Sequence, residues 1–228
     1  MNKKKVFLFA LAVLPIMYII VNYTFFVHIG NEKYSIFSKD ILIYHDVNTY
    51  FDEVKTPVEL SPLKRCKRLR SLYISRPCDL GVLKELEGIE NFSVRLPAVI
   101  SDYSPISSLE NLKYCYIDDD GFKDIEPLQD IRSLETVIIS HTSVSDISAL
   151  NKLNGLRKLD ISDTNVSDIS VIGNMPELCD IWLNGCPISD YSVLTECENL
   201  KVLCASRDQL PDDIKEKLEK KGVSIAEE

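Results

Sequence analysis

The sequence predicts an α/β solenoid, with parallel strands on a concave face and short helical or 3₁₀ segments on the convex face, plus an N-terminal transmembrane helix. Three observations lead there. Leu112, Leu134, Leu156, Leu178 and Leu200 recur at one constant interval. Within each interval apolar residues first alternate, as in a strand, and then take up a helical spacing. Ahead of the repeats, residues 6–27 form an apolar run that contains no charge. The whole chain has 228 residues, which suits one domain of ordinary size.

Taken in chain order, residues 1–5 carry three Lys and read as a short cytoplasmic tail. Residues 6–27 follow, interrupted only by Asn22 and Thr24. At roughly 1.5 Å per residue they reach about 33 Å, enough for a bilayer core of about 30 Å. Pro15 lies mid-span, where lipid tolerates a kink. After the run come only Glu32, Lys33 and Lys39, so the positive-inside rule places the tail in the cytoplasm and the body outside, as a single-pass signal anchor. The rival is a cleaved secretory signal. Against it, the run is longer than a signal core and Val27-His28-Ile29-Gly30 makes a poor cleavage site.

Residues 28–57 read as an amino-terminal cap, with short strands expected at Lys33–Phe37 and Asp40–Tyr44 around Ser38-Lys39. Residues 58–210 hold the repeats. Their first, fourth and sixth positions are apolar, as in Leu156, Leu159 and Ile161, or Leu178, Ile181 and Leu183. The eleventh column reads Phe122, Val144, Val166, Ile188 and Leu210, and the thirteenth Asp124, Asp146, Asp168, Asp190 and Asp212. Apolar residues recur at the fourteenth, seventeenth and twentieth positions, a stripe only two turns long, so a 3₁₀ segment is expected. Upstream, Leu69, Leu72 and Ile74 open a slightly shorter unit, and Ile89, Phe92 and Val94 open a slightly longer one. This length change predicts an irregular arc around 76–100. A partial unit ends in Leu60-Ser-Pro-Leu63-Lys-Arg-Cys66. No unit can bury both its strand face and its stripe alone, so neighbours must share one core.

The motif written out at 156–177 is LRKLDISDTNVSDISVIGNMPE. It resembles the leucine-rich repeat, in the 22-residue form of bacterial internalins, over roughly residues 58–210. The resemblance implies a binding module of bacterial type. One column departs from the family, which favours Asn at the ninth position. Here it holds Asp120, Thr142, Thr164, Cys186 and Asp208. Thr and Asp can still bond buried backbone groups; Cys186 does so weakly and is expected to be a soft spot. Residues 211–228 read as a carboxy-terminal cap. Pro211, the early acids, the late Lys residues and Gly222 punctuate a helix, with a last short strand near Val223–Ile225.

Composition narrows the function. The net charge is −9, and residues 31–228 set 23 basic against 35 acidic residues. That balance argues against nucleic acid as a partner. Eight Gly and three His leave no phosphate-cradling loop and no His-based metal site, and no cofactor is expected. Seven Cys cannot all pair within one chain; Cys66, Cys115 and Cys197 fall at core positions and read as buried thiols. Cys179 and Cys186 lack the spacing of a zinc site. The Asp column could gather calcium, but Ser145-Asp146-Ile147-Ser148 and its repeats read better as turn and N-cap chemistry. Asp118-Asp119-Asp120-Gly121 reads as a solvated turn. His141 and Asp163 share the eighth column and are expected to be neighbours, yet no nucleophile accompanies them, and the chain is not expected to be an enzyme. Lys64, Arg65, Lys67, Arg68, Arg70 and Arg76 cluster with no acid between 60 and 78. They could meet anionic headgroups or an acidic partner, or simply form a solvated outer face.

The strand residues that point away from the core supply the candidate site. The fifth column runs Tyr73, Ser93, Tyr116, Ile138, Asp160, Trp182 and Cys204, and the third adds Tyr114, Thr136, Lys158 and Asp180. Scattered exposed apolar residues are ordinary. A column containing Tyr116, Ile138 and Trp182 is better explained by a partner. The candidate contacts are Tyr73, Tyr114, Tyr116, Ile138, Lys158, Asp160 and Trp182. The function expected is a membrane-anchored module that binds a protein or peptide through its concave face. The alternative is an exported effector or structural protein whose leader is removed.

Overall fold

Residues 26–29, 32–43, 57–95, 99–206 and 208–227 are described by a computed structural model of the chain. The expected tail at 1–5 and the apolar run through residue 25 lie outside the described residues, as does the expected strand end at Tyr44. Phe26 and Val27, the last residues assigned to the membrane span, instead belong to a strand, β1 (Phe26–Ile29). It pairs antiparallel with β2 (Glu32–Ser35), with Val27 opposite Tyr34. The reason is visible in burial: Val27 and Ile29 alternate into the core, a strand pattern that a lipid-facing helix would not need. Among the described residues, no helix is long and apolar enough to cross a membrane.

The next strand, β3 (Asp40–Ile43), does not pair with β2 as a cap hairpin would. It forms one edge of a parallel sheet. The sheet continues in chain order through β4 (Ser71–Ile74), β5 (Asn91–Arg95), β6 (Tyr114–Asp118), β7 (Thr136–Ile138), β8 (Lys158–Asp160), β9 (Asp180–Trp182), β10 (Val202–Ala205) and β11 (Ser224–Glu227). Sequential order without crossover is what stacking of similar coils requires. The two upstream units of unequal length leave the sheet regular: Tyr73 pairs with Ser93 and Ser93 with Tyr116.

The alternating positions bury one face of every coil. Val137 and Ile139, Leu159 and Ile161, and Ile181 and Leu183 are all fully buried. Leu134, Leu156 and Leu178 lie one above another. Each donates its amide to the residue three back, at 3.1, 3.0 and 3.2 Å, two residues before strands that pair Thr136 with Lys158 and Lys158 with Asp180. The apolar stripes close the core from the other side as 3₁₀ segments, including Ser104–Ser108, Ser148–Lys152, Ser170–Asn174 and Ser192–Thr195. The thirteenth-column Asp residues open them. Asp124, Asp146, Asp168 and Asp190 each accept the amide two residues on, at 2.7 to 2.8 Å. This satisfies a donor that the start of a helical turn leaves unpaired.

Two ninth-column residues behave alike: Thr142 and Thr164 donate to Ile139 and Ile161 carbonyls at 2.7 Å. Cys186 reaches back to the Ile161 carbonyl of the previous coil, at 2.9 Å, while its own carbonyl accepts from the Gln209 amide at 2.7 Å. The expected soft spot is thus bonded on both sides. All seven cysteines are free thiols, six of them buried and Cys179 half-buried. Burial pushes the thiols of Cys78 and Cys115 up to about 12. The turn at Asp118–Gly121 is not simply solvated. Asp119 is buried and accepts the Tyr103 hydroxyl, because the alternation of Cys115 and Ile117 continues inward to it.

At the far end an α-helix, Asp212–Lys220, turns Ile214 and Leu218 inward. Asp212 and Asp213 occupy its first turn and Lys217 and Lys220 its last, matching the helix dipole. Gly222, with φ of 82°, ends it in the left-handed region and leads into β11.

Candidate partner-binding face

One side of the sheet packs on the core; the other carries the outward strand residues, of which Leu42 and Tyr73 are exposed. On that open side the strand register places the fifth-column residues in a continuous row. Leu42 pairs with Tyr73, Tyr73 with Ser93, Ser93 with Tyr116, Tyr116 with Ile138, Ile138 with Asp160, and Asp160 with Trp182. The third-column row beside it runs through Tyr114, Thr136, Lys158 and Asp180. Neighbouring strands lie about 4.8 Å apart, so Tyr116 and Trp182, three strands apart, are separated by roughly 14 Å.

The predicted contacts fall into two groups. Tyr73, Tyr114 and Tyr116 come together in a groove of about 420 Å³, lined also by Leu42, Ser93 and Arg95. Tyr73 is 37% exposed and Leu42 48%, large apolar surfaces for a sheet face. Ser93 is buried between the two tyrosines that flank it. Arg95 lies across the Tyr116 ring, 4.7 Å from its centroid, in a cation–π contact. Tyr116 in turn donates to Asp118 at 3.3 Å. Partial burial pushes the pKa of the Tyr114 and Tyr116 phenols above the ordinary phenol value, which keeps both as neutral hydrogen-bond donors.

Ile138, Lys158, Asp160 and Trp182 lie further along the same rows, outside the groove. Ile138 and Trp182 are half-buried. The two charged candidates already have partners within the chain. Lys158 makes an ion pair with Asp180 at 3.0 Å, and Asp160 accepts the Ser162 amide at 2.9 Å. Cys204, expected to face outward, is buried, and the Asn184 amide donates to its sulfur at 3.2 Å.

Beside this row, His141 sits between two carboxylates, 3.3 Å from Asp163 and 3.7 Å from Asp118. The expected His141–Asp163 contact is present. Among the described residues no three His, Cys, Asp or Glu are grouped to hold a metal ion.

Leu42 and Arg95 join the site without a signal in the repeat columns. Ile41, Leu42 and Ile43 repeat the in-out-in order of Leu72, Tyr73 and Ile74, but they precede it by well over one repeat, so the period does not reveal them. Arg95 occupies the seventh position, an outward column whose residues otherwise carry little apolar surface.

Comparison with known proteins agrees with this fold. The family described as leucine-rich repeats (2 copies) matches residues 132–174. No protein of curated function matches the chain by sequence. Among solved structures, an internalin of Listeria monocytogenes, inlF, superposes with a TM-score of 0.66 at 24% identity, over 74% of this chain and 50% of that one. Internalin C2 of the same species gives 0.64 at 23% identity, over 75% and 76%. A leucine-rich repeat protein of Leptospira interrogans gives 0.61 at 13% identity, over 78% and 52%. The chain spans only half the length of the first of these internalins. At such identities the likeness establishes the fold, a leucine-rich-repeat solenoid with a parallel sheet and short 3₁₀ turns.

Proposed function

We propose that this leucine-rich-repeat chain is a membrane-anchored recognition module that takes a protein or peptide partner on the open face of its sheet, outside the cytoplasm. The observation that carries the reading is the groove of Leu42, Tyr73, Tyr114 and Tyr116. Apolar side chains that face away from the core and keep surface in water gain most from a partner that covers them. Tyrosines suit that role, since they bury a large ring while keeping a polar tip, and two χ angles are little to immobilise. Arg95 extends the groove with a cation already held over a ring. Ile138 and Trp182 continue the same row as a second apolar contact for a partner long enough to reach them. The anchoring part of the reading is supported by the uncharged run at 6–25 and the three Lys before it.

The test is capture of a partner by crosslinking in the native membrane, compared between wild type and a Tyr73→Ala, Tyr116→Ala variant. The variant should lose capture while its melting temperature stays close to wild type. Capture that survives both changes overturns the groove as the binding site. In the same fractions, full-length chain in the membrane supports the anchor. A shortened soluble chain would instead support export with removal of the leader.

A further inference from the structure

We propose that Lys64, Lys67 and Arg68, with Arg65, form a basic rim that seats the base of the repeat stack on anionic lipid headgroups; the proposal rests on the anchoring reading above. The first described residue, Phe26, lies at the end of the apolar run at 6–27. It is held between two cations. Lys33 Nζ lies 4.0 Å from the centre of the Phe26 ring, and Arg65 Nη1 donates to the Phe26 carbonyl at 3.1 Å. Arg65 ends the 3₁₀ segment Ser61–Arg65, which packs on β1. The cluster at 64–68 is therefore at the place where an inserted run would hand the chain over to the folded body.

Three of its charges face solvent there. Lys64, Lys67 and Arg68 are exposed, and none pairs with a carboxylate among the described residues. Arg70, by contrast, is committed to Glu90 at 3.3 Å and is left out of the rim. Glu85 and Glu87, on the next coil, line a cleft with Lys67 but make no ion pair with it.

Charge along the chain points the same way. Leaving out the three Lys before the run, residues 28–78 hold 9 basic and 6 acidic residues, whereas residues 79–228 hold 14 basic and 29 acidic. An anionic surface attracts one end of such a molecule and repels the rest. The stack would stand away from the bilayer with its open face clear of lipid, instead of lying along it. Membrane insertion itself does not read the cluster, because orientation is set by charges close to the span in sequence. The rim forms only when folding brings residues 64–68 back to Phe26. An acidic protein partner would satisfy the same cations, but adjacency to the apolar run favours lipid.

The test uses the full chain in vesicles of phosphatidylcholine alone or mixed with phosphatidylglycerol, with lysine acylation read by mass spectrometry. Lys64 and Lys67 should label several-fold more slowly in the mixed vesicles, and high salt should abolish the difference by screening. Lys217 and Lys220, at the other end, should label equally in both. Equal labelling of Lys64 and Lys67 in the two lipids, with the chain floating with the vesicles, overturns the rim and leaves the anchor standing. Failure to float with either vesicle overturns the anchor and the rim together. Protection by inorganic phosphate with phosphatidylcholine alone, matching that in mixed vesicles, assigns the cations to a free anion and overturns the lipid proposal.

Discussion

Tyr103 donates its hydroxyl hydrogen to the carboxylate of Asp119, and both residues are buried. The same ring meets Phe122 edge to face, with centroids 4.9 Å apart. The second carboxylate oxygen accepts the Gly121 amide at 2.9 Å, so the acid is bonded on both sides. Tyr103→Phe keeps the ring contact and leaves one oxygen of a buried carboxylate without its donor, which costs about 1–3 kcal/mol. Burial first, and the Asp119 contact second, push the Tyr103 phenol above its ordinary value of 10.0. The fold therefore holds this proton more tightly than the unfolded chain does. That contribution is complete below pH 10 and declines as pH rises above it. Urea denaturation at neutral and alkaline pH should show a loss in wild type that is shallower in Tyr103→Phe; parallel losses would mean the hydroxyl is not ionically coupled to folding.

Asp168 gives the opposite sign of pH dependence. The Ser170 amide, and then the Ser170 hydroxyl, hold its carboxyl below the usual 3.8, while Asp146 and Asp190 on the neighbouring coils oppose the shift. The stabilisation is present above the unfolded-state value and is lost as pH falls through the lower folded value. Asp168→Asn keeps an oxygen for the Ser170 amide and removes repulsion within the column. Its denaturation midpoint at neutral pH should stay near wild type, and its decline on acidification should be shallower. Asp168→Ala, which removes the acceptor, should lower the midpoint at neutral pH as well.

Such columns explain how much of the molecule is legible in its sequence. Where a physical requirement repeats every coil, as with Leu134, Leu156 and Leu178 or the Asp caps, the sequence repeats with it and both strand and 3₁₀ segments can be placed. The grouping of Tyr73, Tyr114 and Tyr116 follows from the same period. What escapes are the places where period and alternation part company. Leu42 obeys the alternation but lies too far ahead of Tyr73 to fit the period, so β3 reads as part of a separate cap. Asp119 sits in a run of acids that suggests water, although Cys115, Ile117 and Asp119 share one side of the strand and its extension. The period places Lys158 and Asp160 on the open row, but their engagement with Asp180 and the Ser162 amide depends on side-chain reach that no period encodes.

Leu159 tests the shared core. It is fully buried in the middle of the sheet, in register with Val137 on one side and Ile181 on the other. Leu159→Ala should cost about 2–5 kcal/mol, since neither neighbour can collapse into the space without disturbing its own coil. Leu210, 8% exposed at the last turn before the helix, has more room to relax and should cost less on the same change. Equal costs in chemical denaturation would mean that the coils do not behave as one stack.

Gly185 and Gly222 separate backbone strain from crowding. Both lie in the left-handed region, with φ of 68° and 82°, where a side chain is strained at any site. A Cβ at Gly222 would meet nothing within 4 Å, so Gly222→Ala reports the backbone penalty alone. A Cβ at Gly185 would fall 2.2 Å from Asp163 Oδ1, and the carboxylate would have to swing away from His141, now 3.3 Å off. Gly185→Ala should therefore lower stability by more than Gly222→Ala, whose cost is on the order of 1 kcal/mol. Adding Asp163→Gly removes the obstructing carboxylate and relaxes a second left-handed residue, with φ of 54°. In a double-mutant cycle the excess cost of Gly185→Ala should then vanish, whereas an excess that persists would place the conflict in the backbone of the coil rather than in the contact between residues 163 and 185.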